Sequence, residues 1–453
     1  MAVPIGFFLP WFGVLAWTWI GLMNPHRLTW AIRDWPIAQW VAISTLLGLL
    51  LTQDRKRIPL SFETMLLGLL VVYFTITTIA AWSPAAAWPQ WEKVMKIYLF
   101  TFVTTMLIFR RERIRLLMLV VVFSLGFYGV KGGVFSILTG GQYRVWGPPD
   151  SFIADNTALG LALCMNLPLA LVAARQETNK WVRWALYTVF WLSIPAILFT
   201  YSRGAFLGLL AVLTPIMWRY KGRFLVLLLI GGLALYTAEN LVPDKWVERQ
   251  ETTLNYEQDH SAMQRMQAWG VATNIALDRP LFGAGFNFVY GIDNSQWLSY
   301  ANFVDEWAHV SRAAHSIYFE VLGEHGIIAF ALFCALLFGT FWRLRRLAKQ
   351  AYTAETAWIG GYARGVQLAL IPYMTAGAFL SLAYFDLFYY LIALSAILHR
   401  EHADATAAAV AKSDALLSAT ELEAQTPRAM PARSADYGSH RSCSPPYNPR
   451  LRD

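Results

Sequence analysis

Residues 62–81 read FETMLLGLLVVYFTITTIAA, an apolar run of twenty residues with one charged side chain, Glu63. A helix of this length rises about 30 Å, which matches the thickness of the hydrocarbon core of a bilayer. A strand of a membrane barrel would alternate apolar and polar residues, and this run does not alternate. The stretch therefore predicts a membrane-spanning helix, the element in which every backbone group is satisfied internally.

Similar apolar runs recur along the 453 residues, of which 57% are hydrophobic and only 15% charged. A soluble domain carries about 25% charged residues. The pattern predicts an all-α, polytopic membrane bundle of about twelve transmembrane helices. The predicted spans are Ile5–Met23, Pro36–Leu51, Phe62–Ala81, Val94–Phe109, Leu116–Ile137, Ala158–Ala173, Val182–Thr200, Gly204–Met217, Phe224–Leu241, Ser316–Phe341, Gly365–Phe379 and Ala383–Leu398.

Positive charge is concentrated in every second loop between these spans. Because cytoplasmic loops carry an excess of Lys and Arg, this pattern places the basic loops and both termini in the cytoplasm. Arg27 and Arg33, in the first outer loop, are a mild exception. The same rule accounts for most of the net charge of +8, so no nucleic-acid partner is expected. The basic loops contain Arg55, Lys56, Arg57; Arg110, Arg111, Arg113, Arg115; Arg175, Lys180, Arg183; Arg219, Lys221, Arg223; and Arg343, Arg345, Arg346, Lys349.

The chain divides into four predicted regions. Residues 1–241 contain spans one to nine, and residues 242–314 form a long polar segment outside the cytoplasm. In that segment Ser261–Asp278 predicts an amphipathic helix that lies on the membrane or on the bundle; its apolar stripe contains Ala262, Met266, Trp269, Thr273 and Ala276. Residues 315–400 contain spans ten to twelve. Residues 401–453, rich in Ala, Ser, Pro and Arg, are expected to form a disordered cytoplasmic tail, with a short helix possible near Asp414–Ala424.

Three ionisable residues at the outer ends of helices are candidates for chemistry, because charge near a membrane is costly. Arg203 occupies a turn of a few residues between two spans, Arg265 lies on the amphipathic helix, and His315 precedes the tenth span. A guanidinium binds phosphate oxygens through two parallel hydrogen bonds, and an imidazole can take a proton from a hydroxyl. Simpler interpretations are a snorkelling arginine, a solvated helix face and a helix-capping histidine.

Other catalytic signatures are absent from the sequence. There is no Walker A loop, no GxSxG nucleophile elbow and no cysteine or histidine spacing typical of a metal site. Asp305 and Glu306 only weakly resemble the acidic pair of metal-dependent glycosyl transfer. Glu320 and Glu324, one turn apart inside the tenth span, each need a partner, for which an Arg or His of a neighbouring helix is the expected candidate.

Between Thr139 and Gly326 the sequence resembles the O-antigen ligase and polymerase superfamily of bacterial envelope glycosylation. The N-terminal third looks more like the branch of O-glycosylation ligases and lipopolysaccharide O-antigen ligases than like the polymerases. One departure is Ser316, where many relatives have Asn. The stretches that carry the resemblance, in matching order and spacing, are Phe152–Ala158 (FIADNTA), Tyr201–Ala205 (YSRGA), Arg265 with Trp269 followed by Asp278–Gly285 (DRPLFGAG), and Ala314–His315–Ser316 through Glu320 to Gly326.

The resemblance implies a GT-C-like enzyme of the bacterial inner membrane with its active site at the periplasmic face. Such enzymes transfer a glycan en bloc from undecaprenyl diphosphate to an acceptor hydroxyl, typically of lipid A–core, with inversion and without metal or other cofactor. The resemblance makes His315 the catalytic base and Arg203 and Arg265 the clamp on the donor diphosphate. The residues that it suggests for supporting roles are Asn156, Tyr201, Trp269, Ser316 and Glu320.

Several alternatives stay open at this stage. The motifs do not separate transfer to lipid A–core from polymerisation of repeat units or from transfer to a protein hydroxyl. A membrane transporter or lipid flippase is a reading of a different class, and it predicts charges near the bilayer midplane. The midplane of the predicted bundle is largely apolar, with Glu324 and Asp386 as the doubtful positions.

Overall fold

Every regular element in the described part of the computed structural model is a helix. The described residues are 2–30, 32–54, 57–218, 260–304 and 310–425. The α-helices are α1 (Ala2–Phe8), α2 (Pro10–Met23), α3 (Ile37–Leu51), α4 (Phe62–Ile79), α5 (Pro84–Leu107), α6 (Arg110–Leu138), α7 (Asn156–Gln176), α8 (Lys180–Leu198), α9 (Arg203–Met217), α10 (His260–Asp278), α11 (Asn294–Ser299), α12 (Ile317–Gln350), α13 (Ala357–Ala376) and α14 (Asp386–Gln425).

Five of the described helices, α4, α6, α7, α8 and α12, are long and apolar enough to cross a membrane. Three shorter helices, α2, α3 and α9, are also apolar. The predicted class of an all-α membrane bundle is therefore supported, and the number of twelve spans stays a prediction. The predicted span Phe224–Leu241 and the pair Asp305–Glu306 lie outside the described residues.

The helices α4 to α9 and α12 to α14 run between two ends of the bundle. At one end, here called the basic end, Arg115 of α6 binds Glu177 after α7 at 2.6 Å, and Arg343 of α12 binds Glu63 of α4 at 3.1 Å. At the other end, here called the site end, α7, α9, α12 and α14 begin. Successive helices therefore run in opposite directions, which is consistent with the concentration of positive charge in every second loop of the sequence.

Helix α7 lies in the centre of the bundle and is buried over nearly its whole length. It packs against α6, α8, α9 and α13. Gly160 allows this contact with α9, because a Cβ at Gly160 would come within 2.5 Å of the Ala205 Cβ. Small residues permit close approach of membrane helices. The contact fixes the first turn of α7 beside the first turn of α9.

Several predicted spans differ from the observed helices. The predicted span Ile5–Met23 is two helices, α1 and α2, that separate before Pro10, whose ring cannot donate a backbone hydrogen bond. The helix that contains the span predicted from Val94 begins ten residues earlier, at Pro84, and continues through Pro89. The span Ser316–Phe341 corresponds to α12, which begins at Ile317, runs to Gln350 and is broken at Gly326, where φ is +77°.

The last helix continues beyond the boundary expected for the tail. Helix α14 runs from Asp386 to Gln425, so residue 401 lies inside a helix. The stretch 405–411 reads ATAAAVA, and alanine is the strongest helix former, which explains the continuation. Within this helix, residues from Thr406 onward belong to a second compact unit. The tail prediction for residues 426–453 lies outside the described residues.

The predicted amphipathic helix is present as α10, which packs against α12. Its buried face contains Ala268, Val271 and Ile275, which form a small core with Phe288 and Trp297. The stripe predicted from the sequence lies next to this face and is only partly buried at Met266 and Trp269. The helix therefore lies on the bundle with one apolar face buried and with a second facing a cavity described below.

Candidate active site

The starts of α7 and α9 meet at the site end. Asp155 caps α7, since its carboxylate accepts from the Thr157 N–H at 2.7 Å, and Ser202 caps α9 by accepting from the Ala205 N–H at 3.1 Å. The Asn156 side chain donates to the Thr200 carbonyl at 2.6 Å and ties the two starts together. Helix N-termini carry partial positive charge, so this end of the bundle favours an anion.

Arg203 and Arg265 line one cavity of about 260 Å³. Arg203 is the first residue of α9, and Arg265 is in the second turn of α10. Trp269 and Met266 of α10 and Phe379, after α13, form much of the remaining wall. The cavity thus combines two guanidinium groups with an apolar and aromatic lining, which suits a phosphate attached to a lipid.

Trp269 connects this cavity to His315. The indole nitrogen of Trp269 donates a hydrogen bond of 2.7 Å to the carbonyl of Ala314, and its ring stacks on Phe319 with centroids 5.1 Å apart. The contact holds the chain immediately before α12 against the wall of the cavity. The structure therefore brings together Arg203, Arg265, Trp269 and the segment that carries His315.

The backbone at His315 adopts a left-handed conformation with φ of +44°, which is uncommon for a residue with a side chain. Its N–H donates to the hydroxyl of Ser381 at 2.9 Å, which helps to keep that conformation. The pKa of the imidazole is lowered first by desolvation, then by the positive charges of Arg265 and Arg312, against the opposing charge of Asp155. A lowered pKa keeps the ring neutral near pH 7, as a general base requires.

Tyr201 has a structural role in the turn that precedes α9. It has φ of +56°, and its hydroxyl donates to the Gly141 carbonyl at 2.6 Å. Tyr201 is buried, and the Arg144 guanidinium lies 5.9 Å from its ring centroid. The residue thus joins the loop 139–155 to the turn that presents Arg203. Such left-handed residues persist only where surrounding contacts fix them.

Ser316 immediately precedes α12, and Glu320 lies in the first turn of that helix. The Ser316 side chain is buried, and its hydroxyl makes no hydrogen bond within the described part of the chain. Glu320 accepts a hydrogen bond of 3.0 Å from the Ala383 N–H. Glu320 therefore fixes the segment that precedes α14, next to the Ser381 that holds His315.

Below this turn, the break in α12 is repaired by the stretch 280–285. The Ile327 N–H donates to the Pro280 carbonyl at 2.8 Å, and the N–H groups of Ala284 and Gly285 donate to the carbonyls of Gly323 and Glu324 at 3.0 and 2.8 Å. These bonds satisfy backbone groups that the break leaves without helical partners. The DRPLFGAG stretch is thus a brace for α12.

The carboxylate of Glu324 lies in a buried polar network beside the break. It accepts from the Asn287 N–H at 2.7 Å and from the Tyr384 hydroxyl at 2.6 Å. The Tyr384 hydroxyl lies 3.0 Å from Nε2 of His325, whose Nδ1 lies 2.6 Å from the Thr77 hydroxyl. The expected Arg or His of a neighbouring helix is wrong for both Glu320 and Glu324, because backbone amides and a tyrosine donate to them, and the histidine nearest to Glu324 is His325 of the same helix, at 3.8 Å.

Two residues of the site were not singled out from the sequence. Asp155 is close enough for its charge to act on His315, and Phe379 lines the cavity of Arg203 and Arg265. The N-capping pattern of Asp155 before an apolar run was visible in the sequence, but its proximity to His315 was not. Nothing in the sequence around Phe379 distinguished it from a span residue.

The arrangement places two permanent cations and the positive end of α9 around one cavity, and His315 lies on the segment that Trp269 ties to the wall of that cavity. Among the residues that the structure describes, no three His, Cys, Asp or Glu side chains are grouped to hold a metal ion. The components present can take a proton from a hydroxyl and stabilise a phosphate leaving group.

Two family models match the chain. A model described as O-Antigen ligase matches residues 188–334, which include Arg203, Arg265 and His315. A second model, described as a family of unknown function (DUF5935), matches residues 1–178. No curated protein matches the chain.

Proposed function

The chain belongs to the O-antigen ligase and polymerase superfamily, and from this membership we propose that it transfers a glycan en bloc from undecaprenyl diphosphate to a hydroxyl of lipid A–core. The observation that supports this proposal most is that Arg203 and Arg265 line one cavity, from which Trp269 reaches the segment that carries His315. We place the chain in the bacterial inner membrane, with the basic end in the cytoplasm and the site end in the periplasm.

The donor binds through its diphosphate. Arg203 and Arg265 each offer a planar fork of N–H donors to the phosphate oxygens, and the apolar wall of Trp269 and Phe379 accepts the first part of the polyprenyl tail. The positive N-terminus of α9 adds to this attraction. The cavity lies at the end of the apolar helices, where a diphosphate anchored by a lipid tail is held.

In the transfer step, a neutral ring nitrogen of His315 takes the proton of the acceptor hydroxyl. The hydroxyl oxygen then forms a bond to the anomeric carbon, and the bond from that carbon to the diphosphate oxygen breaks with its electron pair on the leaving group. The two guanidinium groups stabilise the charge that develops there. Attack from the side opposite the leaving group inverts the anomeric configuration, and no carboxylate intermediate is needed.

The test uses the full chain in proteoliposomes with polyprenyl-diphosphate glycan and lipid A–core, in the presence of a chelator. Wild type is expected to form the linked product and His315→Ala none. Arg203→Lys should lose at least about tenfold in kcat/KM, because an ammonium group cannot replace the planar fork. Arg183→Lys on α8 at the basic end is the matched control and should keep full activity.

Three results bear on the proposal separately. Full activity of His315→Ala, with thermal unfolding equal to that of wild type, removes the proposed base. Retention of the anomeric configuration in the product contradicts a mechanism with a single inverting step. If the product forms with a second donor molecule or with a protein serine instead of lipid A–core, the enzyme is a polymerase or a protein O-glycosylation ligase, and the acceptor assignment is wrong.

A further inference from the structure

A second cavity, of about 580 Å³, opens beside the outer third of α6. It is called here the α6 groove. Its wall contains Val134, Phe135 and Leu138, whose side chains are exposed, and its far edge contains Arg144 and Trp146 of the loop that follows α6. Gly132 lets this loop approach the helix, because a Cβ there would come within 2.6 Å of Val145. The groove is therefore a built feature of the contact between α6 and its loop.

The α6 groove is cationic. Lys131 of α6 and Arg144 of the loop both line it and are exposed. Among its described lining residues none is acidic. Lys131 lies seven residues before the end of an apolar helix, roughly 10 Å along its axis, where a positive charge is costly unless it reaches an anion at the interface. Charge and apolar surface together match an amphiphile with a phosphate near its acyl chains.

The groove is connected to the candidate active site through two residues. Arg144 lies over the ring of Tyr201, two positions before Arg203. The same loop continues to Asp155, whose charge acts on His315, and the Gly147 N–H donates to the Ala154 carbonyl at 3.2 Å to bring its two arms together. The loop that lines the groove is thus the same loop that carries Asp155.

The groove and the diphosphate cavity belong to different helices. The cavity with Arg203 and Arg265 is formed by α9, α10 and the segment after α13, whereas the groove is formed by α6 and its loop. The turn Tyr201–Arg203 adjoins both, because Arg144 of the groove lies over Tyr201 and Arg203 lines the cavity. An inverting transfer requires the acceptor and the leaving group on opposite sides of the anomeric carbon, so two separate lipid sites suit the chemistry.

We propose that the α6 groove binds the phosphorylated, acylated saccharide that anchors the acceptor in the membrane. Its acyl chains lie against Val134, Phe135 and Leu138, and Lys131 and Arg144 bind a phosphate of its saccharide. The inference rests on the proposed function for the identity of the acceptor, but the binding that it predicts does not depend on transfer.

The test measures binding directly. The full chain is placed in phosphatidylcholine nanodiscs, lipid A–core is titrated, and its occupancy is read by native mass spectrometry. Lys131→Gln with Arg144→Gln is expected to weaken binding by about tenfold or more, the size of one lost charged hydrogen bond. The charge-retaining pair Lys131→Arg with Arg144→Lys is the matched control and should bind within about threefold of wild type. Lipid A–core without phosphates should bind wild type as weakly as it binds the neutral pair.

Three results would overturn the inference. Equal binding by wild type and the neutral pair shows that the groove does not hold the acceptor. If wild type binds lipid A–core with and without phosphates equally tightly, the two cations do not bind a phosphate. If the neutral pair loses affinity for polyprenyl diphosphate instead of lipid A–core, the groove belongs to the donor. A wild type that binds lipid A–core through these cations but transfers nothing to it would contradict the proposed function alone.

Discussion

The N–H of Ile327 donates a hydrogen bond of 2.8 Å to the carbonyl of Pro280, across the point where α12 is broken. Gly326 makes this contact possible, because its φ of +77° turns the chain and its missing Cβ leaves room for the same carbonyl. The break separates a short outer half-helix, which begins just after His315, from the long helix that follows. The geometry of the site therefore depends on a backbone contact that lies well below it.

Gly326→Ala should lower the free energy of unfolding by about 2 kcal/mol or more, because alanine at positive φ is strained. Its Cβ would also lie 2.5 Å from the Pro280 oxygen. Gly68→Ala on α4 is the control, since nothing lies within 4 Å of a Cβ at Gly68. The measurement is thermal unfolding in detergent. Equal midpoints for the two variants would contradict the role given to the break.

Tyr384→Phe should destabilise the bundle by about 2 kcal/mol, because it leaves an oxygen of the buried Glu324 without the hydroxyl that donates to it at 2.6 Å. The ring itself is retained, so its packing against Phe286 is little changed. Tyr352→Phe is the control, since Tyr352 is 81% exposed. Thermal unfolding decides this prediction, and a loss no larger than that of the control would show that the network adds nothing to stability.

Trp269→Phe should lower kcat by roughly fivefold, because it removes a hydrogen bond worth about 1 kcal/mol to the Ala314 carbonyl while an aromatic ring stays against Phe319. Trp269→Ala removes the ring too and should lower kcat further. Steady-state kinetics at saturating donor and acceptor measures both. If both variants differ from wild type only in KM, then Trp269 binds the donor and does not position His315.

The dependence of activity on pH follows from the surroundings of His315. Because the pKa of its imidazole is lowered, the neutral base is fully formed near pH 7, and activity is lost only as the pH falls below the ordinary histidine range. Arg312→Gln removes a charge that lowers this pKa, so the acid limb should move to higher pH. Asp155→Asn keeps a residue suited to cap α7 and should move the limb to lower pH.

The profile of kcat/KM against pH for wild type and these two variants checks this prediction. Opposite displacements of the acid limb identify His315 as the titrating group. An acid limb that both variants leave in place would mean that activity reports another group.

The sequence by itself determined the class of the fold. The apolar run of 62–81 and its counterparts are long enough to span a bilayer, and backbone satisfaction in lipid allows only helices there. The helix in the polar segment was also predicted correctly, because a repeat of 3.6 residues is local information, but its buried face contains Ala268, Val271 and Ile275 and differs from the predicted stripe. The short motifs around Arg203, Arg265 and His315 indicated which residues to examine.

The tertiary structure alone decided how those residues meet. Arg203 and Arg265 are 62 positions apart in the chain and share a cavity only because α9 and α10 pack at the same end of the bundle. The break at Gly326, the partners of Glu324 and the proximity of Asp155 to His315 also arise between segments distant in sequence. Local patterns record which face of a helix is apolar, whereas such contacts depend on the packing of the whole chain, which a single sequence does not display.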